Sequence, residues 1–162
     1  MKFAEEYAKT LKAGDVVLLD GGMGAGKTVF AKGVARGLGI TDEILSPTYA
    51  YMNDYYGKLY HYDCYRLESG AGAEALGLTD YFYGGGVCLI EWAQNIADVL
   101  PENCRRVAIV KVSEEEDRVL SAALLQGREQ CKNFWRWILP RRTSRCWHAE
   151  KRRRSGLLKT AL

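Results

Sequence analysis

A chain of 162 residues, 48% of them hydrophobic and 27% charged, is long and apolar enough to bury the core of one domain. No run approaches the ~18–20 apolar residues that cross a bilayer, and the N-terminus lacks a basic-then-apolar signal layout, so a cytoplasmic protein is expected. The net charge of +3 conceals an asymmetry: residues 1–120 hold 12 Lys/Arg against 18 Asp/Glu, and residues 121–162 hold 11 against 2.

Phe3, Ala4, Tyr7, Ala8 and Leu11 follow helical spacing, and Gly14 closes that helix. Val16-Val17-Leu18-Leu19 then reads as a buried strand. It runs straight into Gly21-Gly22-Met23-Gly24-Ala25-Gly26-Lys27-Thr28, which fills every fixed position of the pattern G-x-x-x-x-G-K-[ST]. Glycines let successive N–H groups turn inward toward phosphate oxygens. Lys27 supplies a cation for the β- and γ-phosphates, and the Thr28 hydroxyl can ligate an accompanying Mg2+. Phe30, Val34 and Leu38 mark the inner face of the helix that follows, whose positive N-terminal end is aimed at the same anion. The loop is a nucleotide site on this reading, and Gly39 suits a left-handed cap to its helix.

Pro47 breaks regular structure, and six tyrosines between Tyr49 and Tyr62 surround Gly57-Lys58 as in a two-stranded hairpin. His61-Tyr62-Asp63-Cys64-Tyr65-Arg66 leaves the hairpin, and a short helix is expected around Ala73 to Leu78. Val87-Cys88-Leu89-Ile90 is a second continuous apolar run, closed by Glu91-Trp92. Ile96, Val99 and Leu100 suggest helical turns before Pro101, and Val107 to Val112 and Val119 to Leu125 are the last strand candidates. The five cysteines, Cys64, Cys88, Cys104, Cys131 and Cys146, have no C-x-x-C spacing and read as reduced thiols.

Ligands of open α/β sheets sit at the carboxyl ends of the strands, so the glycine loop and Glu91 face one crevice. An acid there holds Mg2+ directly or through water, or orients a water for attack on the γ-phosphate; alone it is a solvated strand end. Thr48 is either a hydroxyl on a mobile switch or part of an ordinary Ser-Pro turn. Asp63 is a metal or water ligand, a helix cap, or the partner of Arg66. His61 reads as a hydrogen-bonded structural histidine.

The loop at 21–28, Ser46-Pro47-Thr48-Tyr49, His61-Tyr62-Asp63-Cys64-Tyr65-Arg66, residues 76–82 and Leu89-Ile90-Glu91-Trp92 occur in order and at compatible spacing. Over roughly residues 1–125 this resembles the TsaE family, bacterial ATPases of tRNA threonylcarbamoyladenosine biosynthesis. The resemblance implies a P-loop NTPase-like α/β fold with a mostly parallel central sheet, antiparallel strands beside it and flanking helices. It also implies ATP and Mg2+ as cofactors, and hydrolysis in a complex with TsaB and TsaD that modifies adenosine 37 of tRNA. Carried over by motif, Gly21, Gly22, Met23, Gly24, Ala25, Gly26, Lys27 and Thr28 hold the nucleotide, with Asp63 and Trp92 beside it. Thr28 and Glu91 are the Mg2+ ligands; Glu91, Asp63 and Lys27 are the catalytic set; Thr48 belongs to a switch-like segment. Gly22 stands where the family usually has Asp and Ala93 where it often has Pro, and neither change removes a ligand. The chain begins directly in its first helix, so a preceding segment that helps hold the adenine is expected to be missing and affinity to be lowered.

One rival reading is a small-molecule kinase using the same loop, which calls for an arginine-rich lid. Another is a nucleotide-dependent RNA-binding protein built on the tail; no Asn-Lys-x-Asp segment is present to select guanine. The tail, residues 126–162, places Phe134, Trp135, Trp137 and Trp147 among Arg141, Arg142, Arg145 and the basic run 151–154. It is an RNA-binding arm, an appendage without function, or the product of a shifted reading frame. Deleting residues 127–162 is expected to leave the ATPase fold intact, turn the isoelectric point acidic, and weaken salt-sensitive tRNA binding. Loss of solubility or a collapsed thermal melt moves the domain limit, and tRNA binding that is unchanged across salt concentrations removes the arm.

Overall fold

Helices α1 (Lys2–Ala8) and α2 (Lys27–Gly37) meet where neither carries more than a methyl group. A Cβ added at Gly33 would lie 2.5 Å from the Cβ of Ala4, and one at Gly37 would lie 2.5 Å from that of Ala8. Small residues four apart on both helices therefore let the two backbones touch, and Phe3, Tyr7 and Phe30 close the contact with tilted ring packing. A Schellman motif ends α2: the Gly39 N–H donates to Arg36 O, the Ile40 N–H donates to Ala35 O, and Gly39 takes the left-handed cap expected of it.

The computed structural model describes residues 1–111, 118–126 and 158–161. These form α1, β1 (Val16–Asp20), α2, β2 (Met52–Tyr55), β3 (Leu59–Asp63), α3 (Gly70–Ala75), β4 (Val87–Glu91), β5 (Asn103–Lys111), β6 (Arg118–Gln126) and β7 (Leu158–Ala161). Short 3-10 turns at Leu78–Tyr83 and Ala93–Ile96 complete them. Among the described residues the sheet has the order β2-β3-β4-β1-β5-β6-β7. Its centre, β3-β4-β1-β5, is parallel, and β2, β6 and β7 add to it antiparallel. This is the P-loop NTPase-like architecture that the resemblance implies.

The parallel strands β1, β3 and β4 are buried along their whole length, and the continuous apolar runs of β1 and β4 suit a sheet covered on both faces. On one face Val17, Leu19, Leu59, Val87, Leu89, Val107 and Ile109 pack beneath α1 and α2. On the other, Val16, Leu18, Tyr60, Tyr62, Cys88 and Ile90 pack against Leu67, Ala73, Leu78, Phe82, Ile96 and Leu100. Burial pushes the Cys64 and Cys88 thiols up to about 12, so both stay protonated and inert.

The hairpin loop is Tyr56-Gly57-Lys58, with the expected Gly57-Lys58 inside it and Tyr55 paired to Leu59 across it. Tyr56 and Gly57 have positive φ, and the Lys58 N–H donates to Tyr55 O, which closes a tight turn within that three-residue loop. The helix expected at Ala73 to Leu78 begins earlier, at Gly70, whose N–H donates to the Asp98 carboxylate. Gly77, at φ +68°, ends it and starts the 3-10 turn. Of the tail, Leu158–Ala161 pairs with β6 as β7. Cys131, Cys146, the tail aromatics and the basic run at 151–154 lie outside the described residues.

The α1–α2 contact makes a signed prediction. In an exposed helix interior Gly→Ala gains about 1 kcal/mol, but Gly33→Ala is expected to cost ~1–3 kcal/mol through overpacking against Ala4. A denaturant midpoint that rises in this variant would mean that α1 slides away without loss.

Candidate functional site

Three strand ends are level, and that alignment builds the site. Parallel register sets Leu19 of β1 opposite Glu91 of β4, and Glu91 opposite Asp63 of β3. Alternation along β3 and β4 then puts Leu59, His61 and Asp63 on one face with Val87, Leu89 and Glu91, the face that carries α2. Immediately beyond β1 the chain enters the glycine loop. Gly24 at φ +72° and Gly26 at φ +101° occupy left-handed conformations there, and the Phe30 N–H already donates to Gly26 O as α2 begins.

Lys27, at the first position of α2, folds back over this loop. Its ammonium donates to Gly21 O at 2.9 Å and Gly22 O at 3.1 Å. It also stands 3.9 Å from Glu91 Oε2 and 4.5 Å from the centre of the Trp92 ring. Burial pulls the ammonium below its ordinary range, while the Glu91 and Asp63 carboxylates pull it back up. Thr28 lies half-buried beside it; Ala25 is buried, Gly21 and Gly26 are half-buried, and Gly22, Met23 and Gly24 are exposed at the loop's rim.

Glu91 is buried, with its other oxygen, Oε1, 3.0 Å from His61 Nε2. Asp63, also buried, accepts a hydrogen bond from Thr48 Oγ1 at 2.7 Å and one from the Tyr65 N–H at 3.0 Å. Ser46 Oγ sits 3.0 Å from Thr48 Oγ1 and reaches the same Asp63 oxygen at 3.5 Å. The segment 46–48 is thus fastened to the end of β3 through Asp63. Arg66 lies instead over the Tyr49 ring, 4.6 Å from its centre. Trp92 follows Glu91 in a left-handed backbone conformation, φ +58°, and packs on Tyr65 with ring centres 5.0 Å apart. A bulky residue held at positive φ is strained, and such strain gathers at functional sites.

The structure therefore brings Lys27, Glu91, Asp63, Thr48 and Trp92 around the glycine loop. Two features go beyond the sequence analysis. Ser46 joins Thr48 on Asp63, and Asp20, pointing to the opposite face by alternation, forms a buried ion pair with Arg106 Nη2 of β5. The first was present in the Ser-Pro-Thr motif. The second had no local signal, because the partners are 86 positions apart in the chain. Among the described residues no group of three or more His, Cys, Asp or Glu is arranged to hold a metal.

The family model described as "Threonylcarbamoyl adenosine biosynthesis protein TsaE" matches residues 1–120. The tRNA threonylcarbamoyladenosine biosynthesis protein TsaE of Bacillus subtilis is 44% identical over 124 residues, which span 75% of this chain and 77% of that relative. The protein of the same name from Treponema pallidum is 42% identical over 117 residues, 71% of this chain and 86% of its own. Among solved structures, Bacillus subtilis YdiB superposes with a TM-score of 0.62 at 35% identity, covering 83% of this chain and 85% of that one.

Replacing Lys27 by Ala removes the one cation of the glycine loop. A charge-assisted contact contributes about 1.5–3 kcal/mol, so nucleotide affinity is expected to fall ~10- to 100-fold. Titration calorimetry on the folded variant measures this, and unchanged affinity would remove the phosphate-loop assignment.

Proposed function

The chain belongs to the TsaE family of threonylcarbamoyl adenosine biosynthesis proteins, and from that premise we propose that it is the subunit that binds and hydrolyses ATP for N6-threonylcarbamoyladenosine modification of tRNA adenosine 37. It acts with TsaB and TsaD, and tRNA is reached through that complex in the cytoplasm. Among the described residues no helix is long and apolar enough to cross a membrane. The observation that carries the proposal is the level placement of Glu91 and Asp63 at the mouth of the glycine loop, with Lys27 Nζ 3.9 Å from Glu91.

The residues present fit a nucleoside triphosphate with Mg2+. The positive-φ glycines turn backbone N–H groups toward the β- and γ-phosphates, and the N-terminus of α2 adds its positive end. Lys27 exchanges the Gly21 and Gly22 carbonyls for phosphate oxygens, so its binding geometry is already close to the one it needs. Thr28 and Glu91 are the residues that would hold Mg2+, an ion suited to a site with only one or two protein oxygens. The chemistry it would supply there is neutralisation of charge on the phosphates. Once Lys27 turns to the phosphates, Glu91 Oε2 would be free to orient an attacking water. Asp63 holds Thr48 beside the site, from which its hydroxyl reports the γ-phosphate as a switch residue does. Trp92 walls the phosphate end. All of these residues fall within 1–125.

The defining experiment measures ATPase activity alone and with TsaB and TsaD, followed by an assay for phosphorylated small molecules. Stimulated hydrolysis without a phosphorylated acceptor supports the proposal; phosphoryl transfer to a metabolite replaces it with a kinase. Glu91→Gln keeps the side-chain shape and loses the charge. It is expected to bind nucleotide normally while partner-stimulated hydrolysis falls ~100-fold or more. Wild-type turnover in that variant would reduce Glu91 to a strand end.

A further inference from the structure

His61 is fully buried in the middle of β3, among residues where an aliphatic side chain is the simpler choice. On its own face its strand neighbour is Leu59, and its partner across the parallel register is Leu89. An imidazole in such surroundings loses its hydration and must recover the cost through hydrogen bonds. A histidine kept for packing would satisfy both ring nitrogens. Here, among the described residues, Nδ1 has no hydrogen-bond partner, and the one polar contact runs from Nε2 to Glu91 Oε1 at 3.0 Å.

That contact divides the Glu91 carboxylate. Oε1 is taken by His61, and Oε2 faces Lys27 and the loop. Because a carboxylate only accepts, the hydrogen in this bond sits on Nε2. The side chain of Glu91 has three rotatable bonds, and without a tether it can turn either oxygen away from the phosphates. His61, rigid on a central strand, leaves it one arrangement. We infer that His61 is a positioning residue for ATP hydrolysis, holding Glu91 Oε1 through Nε2–H so that Oε2 is presented to the phosphate site. The inference rests on the reading of Glu91 as the hydrolytic carboxylate. Partners of this kind, one step behind the reacting group, typically govern ~10- to 100-fold of activity or metal affinity.

The test uses the full chain with TsaB and TsaD. A glutamine at 61 carries its amide nitrogen near the position of Nε2, whereas an asparagine carries it near Nδ1. His61→Asn is therefore expected to lower stimulated kcat ~10- to 100-fold with ATP affinity near that of the unaltered chain, and His61→Gln to recover most of the loss. Equal turnover in the two variants, or a loss confined to ATP affinity, overturns the assignment. Glu91→Gln, run alongside, separates the two claims. If it turns over normally, the hydrolytic reading of Glu91 fails; if it is inactive while His61→Asn is fully active, only the positioning role fails. A readout without substitution at 61 covers variants that do not fold. The chain has two histidines, so nitrogen-15 NMR of labelled protein, with His148→Gln to assign the signals, distinguishes the tautomers. A proton on Nε2 whose resonance moves in Glu91→Gln is expected, and a proton on Nδ1 alone overturns the inference.

Discussion

The register between β3 and β4 is the constraint on which the site depends. Asp63 stands opposite Glu91, and Leu19 opposite Glu91 on the other side, so three strands end at one level beneath the glycine loop. A slip of one residue in any of these pairings would turn His61, Asp63 or Glu91 to the opposite face, into the apolar layer around Phe82 and Ile96. Register is held because both faces of these strands are buried and every side chain on them has an assigned layer. Packing of the core and placement of the acids are one requirement.

The second constraint is electrostatic. Lys27, Glu91, Asp63, His61, Asp20 and Arg106 are all buried, and each isolated charge among them would be strongly disfavoured. The protein meets this by giving each a named contact: loop carbonyls, Glu91 and the Trp92 ring for Lys27, Thr48 and the Tyr65 N–H for Asp63, Arg106 for Asp20. Breaking one such pair leaves its partner buried and uncompensated, which costs more than the pair contributes. The Asp20–Arg106 pair has a distinct place in this scheme. It ties the end of β1 to β5 on the face away from the nucleotide loop, where the strand must stop abruptly for the loop to begin.

Helix α1 matters for a related reason. Its Ala4 and Ala8 against Gly33 and Gly37 hold α2 by backbone contact, and α2 in turn carries Lys27 and the positive end of its peptide dipoles. Backbone-to-backbone packing has little slack, so the helix N-terminus cannot drift relative to the sheet. Precision at the phosphate end of α2 is thus provided partly by small residues two and three turns away, which carry no chemistry themselves.

Sequence alone determined the elements whose information is local. Continuous apolar runs marked β1 and β4, the G-x-x-x-x-G-K-[ST] pattern marked the loop, Gly39 marked the end of α2, and the ordered motifs marked the family. Each depends on periodicity, a backbone conformation reserved for glycine, or a fixed spacing, all of which can be read along the chain. Tertiary structure decided which partner each polar residue takes. Spacing left Asp63 open between a metal ligand, a cap and a partner for Arg66; the fold gives it Thr48, and gives Arg66 the Tyr49 ring. His61 read as structural because the acid it contacts is distant in the chain; the parallel register carried Glu91, 30 positions away, to within 3.0 Å. The start of α3 at Gly70 needed the Asp98 carboxylate, and Asp20 needed Arg106 from β5. Such pairings follow from strand order and register, which a linear pattern does not encode, because the same alternation fits either neighbour until the sheet is assembled.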